Sequence, residues 1–182
     1  IIEIAKKAKE TEDYSFTTKN RDSLTIEIYR RIPLNIGYLL ATLSHLEVAS
    51  MEIFTLFDGL KYFKIEFINN VQGNELVEVQ DIIDNAFDMT KVVALKKVTI
   101  KRDEIKIDCE HSKTHAELTI HTQNQMGLLA YVMYKFEEMH INIITAKIHS
   151  SKYKVRDSFL MEKQHNICDN VEKIYDILSN NK

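Results

Sequence analysis

This chain of 182 residues is short of several things, and each shortage removes a class of function. It has four glycines and one proline, and nowhere do glycines cluster into a phosphate-cradling loop. Neither sign of charge is in excess. Twenty-four Lys and Arg face 27 Asp and Glu, for a net charge of -3, which gives no broad attraction to nucleic acid or to an anionic membrane. No apolar run approaches the roughly 18 residues of a membrane span, so no membrane partner is expected. Ile1 to Glu10 mixes Lys and Glu with apolar residues and does not read as a secretory signal. Cysteine is limited to Cys109 and Cys168, far apart in sequence. Reduced, buried thiols in a cytoplasmic protein are the favoured reading over a disulfide. The chain opens on Ile rather than Met and reads as a segment of something longer.

What is present is a plan used twice. Apolar residues make up 45% of the chain, enough for a core, and charged residues 28%, ordinary for a globular domain. Ile1, Ile4, Ala5 and Ala8 share one face of a short helix, and Thr11 to Asp22 reads as a polar linker. Leu24, Ile26 and Ile28 then alternate with polar residues, the mark of a strand with one buried face. Pro33 suits a first helical turn, and Ile36, Leu39, Leu40, Leu43 and Leu46 form a helical stripe. Val48 to Leu56 and Lys61 to Phe67 flank Asp58-Gly59, a hairpin signal. Leu76, Val79, Ile83, Ala86 and Phe87 line a second helix, and Val92 to Leu95 offers a closing strand.

The second half repeats this. Ala116, Leu118 and Ile120 alternate; Leu129, Val132, Met133, Phe136 and Met139 repeat the spacing of the first helix. Ile141 to His149 and Val155 to Met161 are the next strands, and Val171, Ile174, Ile177 and Leu178 the last helix, with Asp169 or Asn170 as its N-cap. Between the copies, Val98 and Ile100, then Ile105 and Ile107, alternate around Arg102-Asp103 as a small hairpin. The expected division is a helix and linker over 1–22, a first module over 23–95, a hairpin spacer over 96–113 and a second module over 114–182. The expected fold is α+β, two βαββαβ modules with antiparallel sheets.

Ala116-Glu117-Leu118-Thr119-Ile120 followed by Asn124-Gln125-Met126-Gly127-Leu128-Leu129 resembles the start of an ACT domain, a ferredoxin-like regulatory fold. His140-Ile141-Asn142-Ile143 and Ala146 to His149 resemble its second strand, and Val155 to Phe159 its third. The spacer from Ile105 to Thr114 resembles the segment between the two C-terminal ACT domains of bifunctional protein-PII uridylyltransferases. That family implies a cytoplasmic regulatory segment for nitrogen control. It senses an amino acid, with glutamine implied, and reports to catalytic domains of the parent chain and indirectly to PII. A homodimer through ACT sheets fits the same resemblance. Neither the Gly-Ser and Asp-x-Asp pattern of a nucleotidyltransferase nor a hydrolase His-Asp signature occurs, so no catalytic residue or cofactor is expected in this segment. His111 and His115 lie on an apparent loop without a carboxylate pattern, and no metal site is expected there.

A strand-to-helix turn presents first-turn N–H groups that have no partner in the helix, and the dipole there favours an anion. Glycine lets the main chain approach a ligand. The candidate ligand-binding residues are therefore Asn124, Gln125, Met126, Gly127 and Leu128. By resemblance, Asn142, Ile143 and Ile144 are the candidates on a partnering strand. The first copy keeps Pro33 but has Leu34 where the glycine would be; Arg31, Pro33, Leu34 and Asn35 are its weaker candidates, and a structural role is favoured for it. Gly37 lies beyond the motif. Three alternatives stand beside the sensor: a stand-alone tandem-ACT regulator resembling the glycine-cleavage repressor accessory protein, a purely structural dimerisation segment, and an RNA-recognition module. The last has the same element order and an aromatic third strand, Lys61 to Phe67.

Overall fold

The computed structural model describes residues 2–56 and 58–179; the side chains of Ile2, Glu3, Ala5, Ala8 and residues 164–166 lie outside that description. The expected helical face of Ile1, Ala5 and Ala8 thus falls outside the described residues, and Ile4 is its described member. The chain runs through α1 (Ile2–Glu10), β1 (Tyr14–Asn20), β2 (Leu24–Arg30), α2 (Ile36–Thr42), β3 (Val48–Thr55), β4 (Lys61–Phe67) and α3 (Gly73–Asn85). It continues through β5 (Ile105–Asp108), β6 (His115–Gln123), α4 (Leu128–Glu138), β7 (Ile143–Ser150), β8 (Lys154–Glu162) and α5 (Val171–Ser179).

All the strands join one antiparallel sheet in the order β1-β2-β4-β3-β7-β8-β6-β5. Read from either edge the roles are the same, so two ferredoxin-like halves lie side by side about an approximate two-fold axis between β3 and β7. At that seam the registered pair is Glu52 with Lys147. The seam is also closed by α2 against α4, where a Cβ on Gly37 would come within 3.5 Å of Tyr134 Cδ2 and Glu137 Oε2. A Cβ there would sit in ordinary van der Waals contact with α4, so the crossing does not depend on the glycine.

Three expectations about strands are corrected. Residues 11–22 are not a linker throughout: Tyr14–Asn20 pairs along its length with β2. Val92 to Leu95 forms no strand, and Val92 is 92% exposed. The outer place beside β2, which a closing strand would fill, is already held by β1. The spacer is not a hairpin either. β5 pairs with β6, while Val98 and Ile100 are buried outside the sheet and a 3-10 turn at Arg102–Glu104 separates the two. In each half, then, the fourth strand of the ferredoxin-like sheet comes from upstream of the core.

Strand alternation sends Leu24, Ile26, Ile28, Phe63 and Ile65 of the first half, with Ala116, Leu118, Ile120, Phe159 and Met161 of the second, into one core. Each such buried Leu, Ile, Phe or Met side chain contributes about 1.5–3 kcal/mol. On the opposite sheet face Tyr29, Leu60 and Tyr62 form a small cluster under Ile4 of α1. Cys109 and Cys168 are disulfide-bonded, with Cα atoms 5.9 Å apart. The end of β5 and the turn before α5 meet in space, a proximity their sequence separation conceals, so the expectation of reduced thiols is overturned.

Candidate functional site

A cavity of about 350 Å³ opens at the seam between the halves, under the N-terminus of α4. Its roof is the turn Asn124 to Leu128 together with Leu129 and Ala130. Its side wall comes from the first half, where the chain passes from α2 to β3 through Leu43 to Val48. Its floor includes Ile148 of β7 and Val155 and Asp157 of β8.

The roof is built around Gly127, which caps α4 at φ +84 with no side chain bonding the helix end. A left-handed residue at this point costs any L-residue about 1–2 kcal/mol, so glycine is the natural occupant. A Cβ here would also come 3.1 Å from Lys96 Cβ. The glycine therefore serves the turn and the overlying Lys96 chain as well as any approach from below. Leu128 N–H bonds Gln125 O at 3.1 Å, so the expected donor at Leu128 is already used. The donors next in line are the first-turn groups of Leu129 and Ala130, both on the cavity.

The side chains of the turn are spent on architecture. Gln125 accepts Thr99 N–H at 2.8 Å and donates to Thr99 O at 2.7 Å, fastening the buried stretch from Val98 to Ile100 over the turn. Asn124 Nδ2 donates to Ser151 O at 3.0 Å and to Glu47 Oε1 at 3.3 Å, tying the two halves across the cavity mouth. Met126 is exposed and its sulfur contacts Lys96 Nζ.

Asn142, Ile143 and Ile144 do not line this cavity. Asn142 donates to Glu162 Oε2 at 2.8 Å, Ile143 pairs with Met161, and Ile144 sits at a register irregularity in β7. The two-fold relation explains the displacement. The turn of one half faces the helix-to-strand connection of the other half, not that of its own.

The turn of the first half is finished differently. Asn35 Oδ1 accepts Tyr38 N–H at 2.9 Å and caps α2, and Asn35 Nδ2 donates to Lys91 O at 2.9 Å. Ile36 N–H bonds Leu34 O at 2.9 Å, and the Glu137 carboxylate reaches across from α4 to the start of α2, with Oε2 3.5 Å from the place a Cβ on Gly37 would take. Loss of solvent on its α2-facing side raises the Glu137 pKa, while the nearby Ile36 amide and the Arg30 charge oppose the rise. Leu34 is buried, Pro33 is exposed and precedes the helix, and Arg31 pairs with Asp58 at 2.8 Å. The helix end that would greet a ligand is thus capped by Asn35, with the Glu137 carboxylate of the protein itself beside it.

The residue that sequence reasoning passed over is Asp157. It is 1% exposed and flanked by Ile120 on β6 and Ile148 on β7. The His149 main-chain amide lies near the carboxyl and favours its charged form, and Oδ1 has no hydrogen-bond partner among the described residues. Burial pushes its pKa up to about 7. The matching position in the first half, between Ile28 and Ile53, is Phe63. The signal was present: Asp157 falls in the inward phase of Val155, Phe159 and Met161. The RNA-recognition alternative loses its main support here, because Phe63 and Phe67 are each only 2% exposed and no base could stack on them.

His111 lies 3.8 Å from Glu117, and His115 Nδ1 lies 2.9 Å from Thr114 Oγ1. No group of three or more metal-ligating side chains converges among the described residues. No described helix is long and apolar enough to cross a membrane. No protein-family model matches the chain, and no curated protein does. Among solved structures the chain is similar to aspartate kinase from Synechocystis over 84% of its own length, with a TM-score of 0.47 and 14% identity. It spans about a quarter (26%) of that structure's chain. The fold assignment stands on this chain's own strand order and register.

Proposed function

We propose that this segment is a regulatory module of ACT type that binds a small amino acid in the cavity between its two halves. The observation carrying this reading is the placement of that cavity. An uncapped helix end from the second half and the α2–β3 connection of the first half border the same space. A ligand there touches both halves, so it can favour one packing of the halves over another, to the extent of its differential affinity. The volume, about 350 Å³, lies at the small end of ligand pockets and suits a metabolite of amino-acid size.

Within this reading glutamine is the first effector to test, and the parent is a protein-PII uridylyltransferase. In that parent the segment would report to catalytic domains elsewhere in the chain and, through them, to PII in the cytoplasm. What supports this finer identity is the resemblance of the turn and spacer together with the duplication. The segment itself would carry no catalysis. A stand-alone regulator resembling the glycine-cleavage repressor accessory protein would use the same cavity. A purely structural dimerisation segment would not need it.

Titration calorimetry with each of the twenty amino acids tests the proposal on the folded chain. Saturable heat with glutamine or a close relative is expected. Silence from all twenty would overturn the sensor reading and leave the structural one.

A further inference from the structure

A carboxylate buried among isoleucines, valine and phenylalanine with one oxygen unmatched is costly unless something arrives to meet it. Asp157 is such a group, and it borders the cavity. Resting on the sensor reading above, we infer that Asp157 is the cation receptor of the site: it takes the ammonium of the effector while the first-turn amides of α4 take the carboxylate. The site then selects α-amino acids against the same acids lacking the amine.

The surroundings leave this role to Asp157. The other charged or titratable groups on the cavity are His45, Glu47 and Lys152. His45 Nε2 lies 3.0 Å from Glu75, Glu47 receives Asn124, and Lys152 Nζ sits 5.3 Å above the Tyr153 ring. Directly beside Asp157 the flanking strands place Ile120 and Ile148, with the uncharged Ser150 of β7 further along the cavity, and α4 presents Leu128, Leu129 and Ala130. Negative charge at the floor and the positive end of a helix at the roof complement a zwitterion. The first half supports the assignment by contrast. Where the second half has Asp157, it has Phe63, and its helix end is capped by Asn35.

A consequence follows for pH. Only the ionised carboxylate attracts an ammonium, and Asp157 titrates near neutrality, at about 7. Apparent affinity should therefore rise about tenfold from pH 6 to pH 8, as the ionised fraction grows. Binding at pH 6 should release a proton. His45→Gln, which removes the imidazole on the cavity wall, should leave the rise in place.

The experiment compares L-glutamine with glutaramate, the same molecule without its amine, on the whole chain and on Asp157→Asn. Asn keeps the shape and removes the charge, so folding is not at risk. Glutaramate is expected to bind at least about tenfold more weakly than glutamine. Asp157→Asn should weaken glutamine by about ten- to a hundredfold and abolish the pH rise, while changing glutaramate little. Unchanged glutamine affinity in Asp157→Asn, or equal binding of the two acids, would overturn the inference while leaving the sensor reading intact. Methylammonium supplies the independent arm, read from the carboxyl carbon resonance of Asp157. If glutamine is silent but methylammonium moves that resonance, the receptor stands and the glutamine reading falls. If neither moves it, the receptor falls.

Discussion

The two strand-to-helix turns occupy equivalent places in the duplicated fold, yet one is closed and the other open. At the first turn Asn35 caps α2, Ile36 N–H is taken by Leu34 O, and Phe63 fills the sheet below. At the second, Gly127 starts α4 without a side-chain cap, and Asp157 lies under a cavity. The difference shows how a duplicated module can divide its labour. One copy satisfies its helix end with internal groups and serves as a wall. The other leaves its helix end without a side-chain cap, and a buried carboxylate beside the cavity. The wall is needed, because the cavity of the second half is completed by Leu43 to Val48 of the first.

The comparison can be broken or sharpened by substitution. The largest effect concerns how each half holds its last helix. Only the second half is stapled, by Cys109–Cys168 across 59 residues of sequence. Chain-entropy arguments put such a bridge at about 4 kcal/mol, so Cys168→Ser should lower the denaturant-derived stability by up to that amount. An unchanged midpoint would mean that α5 is held without the bridge. Next comes conversion of the open site into the closed one. Asp157→Phe, which copies the first half, should cost glutamine binding at least about a hundredfold, or about 2.7 kcal/mol, by calorimetry.

The third effect is on stability against pH. The folded Asp157 pKa, about 7, lies above its ordinary 3.8, so the folded state holds the proton more tightly than the unfolded one. This stabilisation is complete below about pH 4 and is lost as pH rises through 7. Between pH 5 and pH 8 the Asp157 contribution should fall by roughly 2–3 kcal/mol, and Asp157→Asn should remove that slope in chemical denaturation. Loss of stability with rising pH that persists in the variant would assign it to other groups. The smallest effect separates the caps. Asn35→Ala should destabilise by about 1 kcal/mol through loss of the bond to Tyr38 N–H. Asn124→Ala, at the second turn, removes no cap and should cost less in the same denaturation assay.

Much of the fold was legible because two periods were clear. Alternation in Leu24-Ile26-Ile28 and Ala116-Leu118-Ile120, and the repeated helical stripe, announced two similar halves. β1 was not legible: Tyr14–Asn20 is largely polar and half-buried, and it is a strand because β2 offers it an edge. The spacer misled because Val98 and Ile100 alternate as a strand would, yet their burial comes from Gln125 gripping Thr99. In the site, the turn itself was readable from Gly127 and the helix that follows. Its opposite wall was not, since Leu43 to Val48 reaches it only through the two-fold relation between halves. Glu137 carried no signal at all: it lies on an exposed stretch of α4, and its approach to Gly37 of the other half comes from the helix crossing.

The most direct test of an open second turn beside a closed first one is an amide-resolved NMR titration of the whole chain with L-glutamine. Saturable shifts are expected at Gly127 to Ala130 and at Leu46 to Val48, with Asn35 to Gly37 silent. Equal shifts at both turns, or shifts confined to the first, would contradict the account.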